Sequence, residues 1–254
     1  ASEADLVRIG LDRLLTLVSF GTTTVEIKSG YGLTTPDELK ILRAAREAGR
    51  AAGIDIVPTF LGAHAVPPEF LGRTDAYVEG LLDETLPAIA LAGAASFCDV
   101  FVEKGYFSRE EARRLFEKAA SLGLRAKVHA DELSDTGGGA LAAEVHAVSA
   151  DHLLHVSDAG IDALAGSGTI ATLLPATSLA SRMPFADGRR LIAAGVPVAL
   201  GTDFNPNCWC ESMQLVIALA CHHNGLLPAQ AITAATINAA CAIGLGDEVG
   251  SLER

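Results

Sequence analysis

Short apolar runs of strand length alternate with helical runs along the whole chain. Residues 22–28, 54–61, 97–102, 124–129, 150–154, 169–174 and 196–200 read as seven strands. They are apolar runs rather than every-second-residue patterns, as expected of strands buried on both faces. Helix starts stand between them. Ser2 with Asp5 opens the first helix, whose apolar face carries Leu6, Ile9, Leu14, Leu17 and Val18. Thr35-Pro36-Asp37-Glu38 reads as cap, proline and closing glutamate; Ser108 with Glu111 and Ser157 open two more helices. Further helices are expected over about 75–91, after the glycines 137–139, and over 189–194, 212–222 and 229–242, with a loop over 175–190.

Strict βα alternation makes parallel strands. No G-x-G-x-x-G follows the first strand and no Walker motif occurs, so a dinucleotide- or nucleotide-binding sheet is disfavoured. The expected fold is an α/β barrel of the (β/α)8 kind, a single domain over residues 1–254, with seven of eight strands present. Half the residues are apolar, which excludes disorder, and the net charge of −12 would repel a phosphate backbone. No nucleic-acid partner is expected. Nor is a membrane partner, because no apolar run nears the ~20 residues of a span. The five cysteines are odd in number and scattered, which suits a reducing cytoplasm. Cys208-Trp209-Cys210 lacks zinc-ligand spacing.

Barrels place their chemistry where strands end. Those ends deliver Lys28 and Tyr31, then His64, then Glu103 and Lys104. The fourth brings His129, Asp131 and Glu132, the fifth His152 and His155, the sixth Thr177 and Ser178, and the seventh Thr202, Asp203 and Asn205. A lone histidine there reads as structural; His64, His129 and His152 with Asp203 read together as a site. Imidazole and carboxylate suit Zn²⁺ or Fe²⁺, and such a metal with an open position supports hydrolysis of a compact polar molecule. His129 and Asp203 are the first ligand candidates, and His152 is a third ligand or a base. Glu132 can share or shuttle protons.

Several runs resemble the imidazolonepropionase family of metal-dependent amidohydrolases. They are Glu26-Ile27-Lys28-Ser29-Gly30-Tyr31-Gly32-Leu33, Thr59-Phe60-Leu61-Gly62-Ala63-His64, Val128-His129-Ala130-Asp131-Glu132, Ser149-Ala150-Asp151-His152-Leu153, Thr202-Asp203-Phe204-Asn205-Pro206 and Ala234-Ala235-Thr236-Ile237-Asn238-Ala239-Ala240. The resemblance implies hydrolysis of 4-imidazolone-5-propanoate to N-formimidoyl-L-glutamate in histidine breakdown, with one Zn²⁺ or Fe ion. It implies His129 and Asp203 as metal ligands. Glu132, His152 and Asp203 are implied as catalytic, and Tyr31, His64, Glu132 and Asn205 as substrate-binding. It also implies a homodimer of the full-length protein.

Departures from the family pattern carry their own expectations. Asn207 and Cys208 stand where many members have Gly and Ser or Thr, and a thiol is a poor donor. The His-x-His pair of the family's first barrel strand, which supplies two metal ligands, does not occur; His222-His223 reads as the end of a helix. The chain therefore reads as a fragment truncated at both ends, lacking the first strand and the family's β-sandwich, and inactive as it stands. The competing functions are another cyclic-amidine or nucleobase hydrolase, such as a deaminase, and a non-catalytic barrel that acts as a binding module.

Overall fold

The computed structural model describes residues 1–253, which fall into two compact units, Ala1–Lys127 and Val128–Arg254. The first unit runs α1 (Glu3–Ser19), β1 (Thr24–Lys28), α2 (Thr35–Ala52), β2 (Asp55–Ala63), α3 (Thr74–Gly80), α4 (Leu86–Leu91), β3 (Phe97–Val102) and α5 (Arg109–Ser121), then enters β4 (Arg125–Ala130). β1 pairs parallel with β2, Thr24 opposite Asp55, and β2 pairs parallel with β3. Each crossover is helical, as parallel pairing requires.

Local signals set these elements. Ser2 with Asp5 and Ser108 with Glu111 form complete capping boxes. α2 differs from expectation by one residue. Its cap is Thr34, whose hydroxyl accepts the Asp37 amide. Glu38 is then freed from capping and turns back to the preceding loop. α1 also differs. Leu14 and Leu17 pack with Ala48 and Ile54, whereas Ile9 and Val18 are exposed. Residues 6, 10, 14 and 17 form the stripe toward α2; positions 9 and 18 lie about 90° to either side of it at 100° per residue. The helix expected over 75–91 is continuous but relaxes into a π turn at Leu81–Thr85 between α3 and α4. Pro87 has no N–H to continue the α ladder there.

The second unit completes β4 and continues with α6 (Gly138–Glu144), β5 (Ser149–His152), α7 (Asp158–Ala165), β6 (Ile170–Leu173), α8 (Pro175–Ser181), α9 (Gly188–Ala193), β7 (Val198–Leu200), α10 (Met213–His222), α11 (Pro228–Ala235) and α12 (Ile237–Ala242). β5, β6 and β7 pair in parallel. Ile170, Ala199 and Ala242 form a small core where small residues let α12 approach the sheet. Two readings change here. The loop expected over 175–190 contains α8, with Pro175 at its first position. The single helix expected over 229–242 breaks at Thr236, whose φ −121°, ψ −98° lies outside the helical region. His222 closes α10, and His223 stacks on Phe185 with centroids 4.3 Å apart.

Candidate active site

In the first unit the loop after β1 is shaped by one carboxylate. Glu38, 1% exposed, accepts the amides of Gly30 at 2.8 Å, Gly32 at 2.7 Å and Leu33 at 3.0 Å. Gly30 has φ +127°, and a Cβ there would meet the Leu61 carbonyl oxygen at 2.6 Å. Only glycine takes that conformation at that distance. The result presents Tyr31 outward, 61% exposed. At the end of β2 the His64 ring meets Tyr31 edge-on, centroids 5.1 Å apart, and stacks on Phe101 at 5.4 Å with 19° between planes. Tyr106 continues the row, 4.5 Å from Phe101. Tyr31 and His64 are thus brought together as expected. Phe101 and Tyr106 were not anticipated, because each reads alone as core or loop.

The same unit holds a network of charges that the strand pattern hid. Lys28 Nζ stands 2.6 Å from Asp99 Oδ2 and 3.2 Å from Glu26 Oε1. Thr59 donates to Glu26 Oε1 at 2.5 Å, and Lys127, 1% exposed, lies 3.2 Å from Glu26 Oε2. Alternating signs compensate the desolvation of each group. The available signal was a charge inside an otherwise apolar strand: Glu26, Asp99 and Lys127. At the end of β3, Glu103 is buried and accepts the Lys104 amide at 2.9 Å.

In the second unit β4 ends in buried His129. Its ring centroid is 5.2 Å from that of His152, at the end of β5. His152 Nε2 lies 3.5 Å from Glu132 Oε2, at ion-pair distance. A His129 nitrogen and an Asp151 carboxylate oxygen lie within 4.8 Å of each other, and Asp151 also accepts the Ser149 hydroxyl at 2.7 Å. Asp151 was not among the strand-end candidates because it precedes the strand's last residue. After β7, Asp203 Oδ2 accepts the Thr177 hydroxyl at 2.5 Å, whereas Oδ1 accepts no hydrogen bond among the described residues.

Asn205 is committed to its own loop. Its Nδ2 donates to the Asp203 carbonyl at 2.8 Å, and its Oδ1 accepts the amides of Asn207 at 2.8 Å and Cys208 at 3.2 Å. The amide has a second N–H besides the one given to Asp203. Burial pushes the Cys208 thiol up from its ordinary value, and the nearby Asp203 charge adds to this against the Thr177 hydroxyl bond. Cys208 is therefore a protonated, weakly donating group.

The backbone is strained at these strand ends. Asp131 (φ 49°), His152 (φ 77°), Leu153 (φ 59°) and Asp203 (φ 48°) are all non-glycine residues in the left-handed region. Each such residue costs about 1–3 kcal/mol and persists only where its surroundings hold it. The donor set also fits a metal ion. His129 and Asp151 bring an imidazole nitrogen and a carboxylate oxygen within 4.8 Å of each other, ligand types that Zn²⁺ and Fe²⁺ accept.

Comparison with known proteins places the chain in a family. The amidohydrolase family model matches residues 102–254. The chain is 56% identical over 256 residues to an imidazolonepropionase of Symbiobacterium thermophilum, covering 100% of this chain and 60% of that one. It is 47% identical to an imidazolonepropionase of Caldanaerobacter subterraneus, covering 100% of this chain and 61% of that one. The chain thus spans about 60% of the length of the curated relatives it matches. Among solved structures, a 5-methylcytosine deaminase from Klebsiella pneumoniae liganded with 5-fluorocytosine superposes with a TM-score of 0.78 at 19% identity, covering 100% of this chain and 67% of that one. That likeness shows the fold, a (β/α)8-type barrel with seven strands among the described residues. By its sequence match over more than half its length and by its fold, the chain belongs to the amidohydrolase family.

Proposed function

We propose that the protein carrying this chain is an imidazolonepropionase: water opens the ring amide of 4-imidazolone-5-propanoate to give N-formimidoyl-L-glutamate, a step of histidine breakdown. The observation that carries this reading is 56% identity over the whole chain to a protein of that name. It is supported by the convergence of His129, His152 and Glu132 at adjacent strand ends.

When bound, a divalent Zn or Fe ion held by His129 and Asp203 would polarise the ring carbonyl and lower the pKa of a water molecule to about 7. The residues do the rest. The Thr177 hydroxyl fixes one Asp203 oxygen and leaves the other to accept a proton or a ligand. Asp203 or His152 takes the proton of the attacking water, and Glu132, 3.5 Å from His152 Nε2, shares or relays it. The leaving ring nitrogen gains a proton from the same pair. Tyr31 and His64 offer an aromatic wall for a planar ring, and the second N–H of the Asn205 amide offers a donor.

The proposal extends to a homodimer of the whole protein in a reducing cytoplasm, in keeping with five cysteines that form no disulfide. No helix among the described residues is long and apolar enough to cross a membrane. The test is an assay of the full-length protein with added Zn²⁺ or Fe²⁺. Accumulation of N-formimidoyl-L-glutamate supports the reading. Ammonia release from a nucleobase, with no ring opening, would replace it with the deaminase alternative. Ligand binding without turnover would leave only a binding module.

A further inference from the structure

We propose that Asp131 is a positioning residue that locks the exits of β4 and β5 together and so holds the His152–Glu132 pair in proton-transfer geometry. This rests on the reading of that pair as the acid–base machinery.

The Asp131 side chain is 1% exposed and does not face a ligand. Its Oδ1 accepts the amides of Thr136 at 3.0 Å and Gly138 at 2.9 Å and the Thr136 hydroxyl at 3.3 Å; its Oδ2 accepts the Gly139 amide at 2.9 Å. The glycines make this approach feasible. A Cβ on Gly138 would meet the Ala130 Cα at 2.9 Å, and one on Gly139 would lie 3.3 Å from Asp131 Oδ2. The carboxylate thus binds the whole 131–139 loop, including Glu132, to the end of β4.

The backbone of the same segment binds the other exit. The Asp131 carbonyl accepts the His155 amide at 2.9 Å, and the Ala130 carbonyl accepts the Leu153 amide at 3.0 Å. These two bonds enclose Leu153 and Leu154 and begin at the amide that follows His152; His152 and Leu153 are both left-handed. A conformation this unfavourable needs external bonds to persist. Asp131 is itself left-handed, which turns the following Glu132 toward His152. One residue therefore sets the backbone on both sides of a side-chain contact it does not make.

The test compares Asp131→Asn, Asp131→Ala and Glu132→Gln in the intact chain with ¹⁵N-labelled histidine. The readouts are the His152 ring nitrogen shifts at fixed pH and the hydrogen exchange of the Gly138 and Gly139 amides. The proposal expects Asp131→Ala to speed that exchange by about 10-fold or more and to move the His152 signals toward their Glu132→Gln positions. Asp131→Asn keeps one acceptor oxygen and should fall between; it carries the comparison alone if the alanine variant does not fold. Faster glycine exchange with His152 signals still at wild-type positions would reduce Asp131 to an anchor of α6 and overturn the proposal. Signals that move in neither Glu132→Gln nor Asp131→Asn would show instead that the pair does not form, which removes the acid–base reading and the proposal with it.

Discussion

The Thr177 hydroxyl stands 2.5 Å from Asp203 Oδ2, so one oxygen of that carboxylate is engaged and its orientation fixed before any ligand binds. Partners of this kind tune a metal ligand without touching the metal, typically by 10–100-fold in affinity. Thr177→Val should weaken zinc binding by about that factor, while Thr177→Ser should stay within about threefold of wild type. Competition against a chromogenic chelator measures both. In the metal-free protein Thr177→Val should also cost about 1.5–3 kcal/mol, since a buried hydroxyl's bond to a carboxylate is lost, whereas Thr177→Ser should keep it.

His152 and Glu132 form one unit, and their loss should be non-additive. In the whole protein, His152→Asn and Glu132→Gln should each lower kcat/KM by about 10²–10⁴-fold, the usual worth of positioned acid–base groups. The double variant should be little worse than the weaker single one, as for other groups that act together. Steady-state kinetics with the ring substrate decides this; multiplicative losses would mean that the two side chains serve separate steps.

Two glycines separate strain from contact. Gly53 ends α2 in the left-handed region (φ +68°), and an added Cβ meets nothing within 4 Å. Gly53→Ala should cost about 1–2 kcal/mol. At Gly30 the φ of +127° is joined by a backbone oxygen 2.6 Å from the added Cβ. Gly30→Ala should therefore cost about 3 kcal/mol or more, and it should displace Tyr31 from the His64 ring. Urea denaturation gives the first quantity, and ring-current shifts of Tyr31 report the second.

Burial raises the Cys98 and Cys208 thiols, and the Tyr77 phenol, above their ordinary values. The Glu38 and Glu69 charges add to the effect at Tyr77, whose hydroxyl donates to the Gly62 carbonyl at 2.9 Å. In each case the folded state holds its proton more tightly than the unfolded chain does. Unfolding then releases protons once pH passes the unfolded value, so stability should decline as pH rises beyond about 8.5, where unfolded thiols ionise. Cys98→Val removes one such group and should flatten the fall of the urea midpoint between about pH 8.5 and 10. An unchanged slope would assign the decline to other groups.

Much of this architecture can be read from residue order alone. Each of the seven expected runs contains a strand, because short, largely apolar segments set between helix caps and glycines have few alternatives to a sheet. The strand-end rule placed His129, His152 and Asp203 at strand exits and brought Tyr31 to His64. What pattern could not reveal was the use of individual carboxylates. Glu38 looked like the closing member of a capping box and instead holds three loop amides. Asp131 looked like a site residue and instead faces inward to Thr136 and the glycines. A carboxylate beside glycines carries the same sequence signal in either role, and only the direction of the backbone tells them apart. The breaks at Leu81–Thr85 and Thr236 are likewise settled by packing, which overrides weak helix preference.

The left-handed turn at His152 and Leu153 has a consequence for the order in which the protein acquires its form. Nothing in the β5 segment favours that turn; it is held by carbonyls of Ala130 and Asp131, more than twenty residues earlier in the chain. An isolated β5 peptide would relax to extended backbone, and a growing chain cannot fix the turn until β4 is already in place. Such long-range closures come late. A nearly folded molecule with every strand formed can therefore still lack the His152–Glu132 approach, and recovery of that approach on refolding should trail recovery of secondary structure.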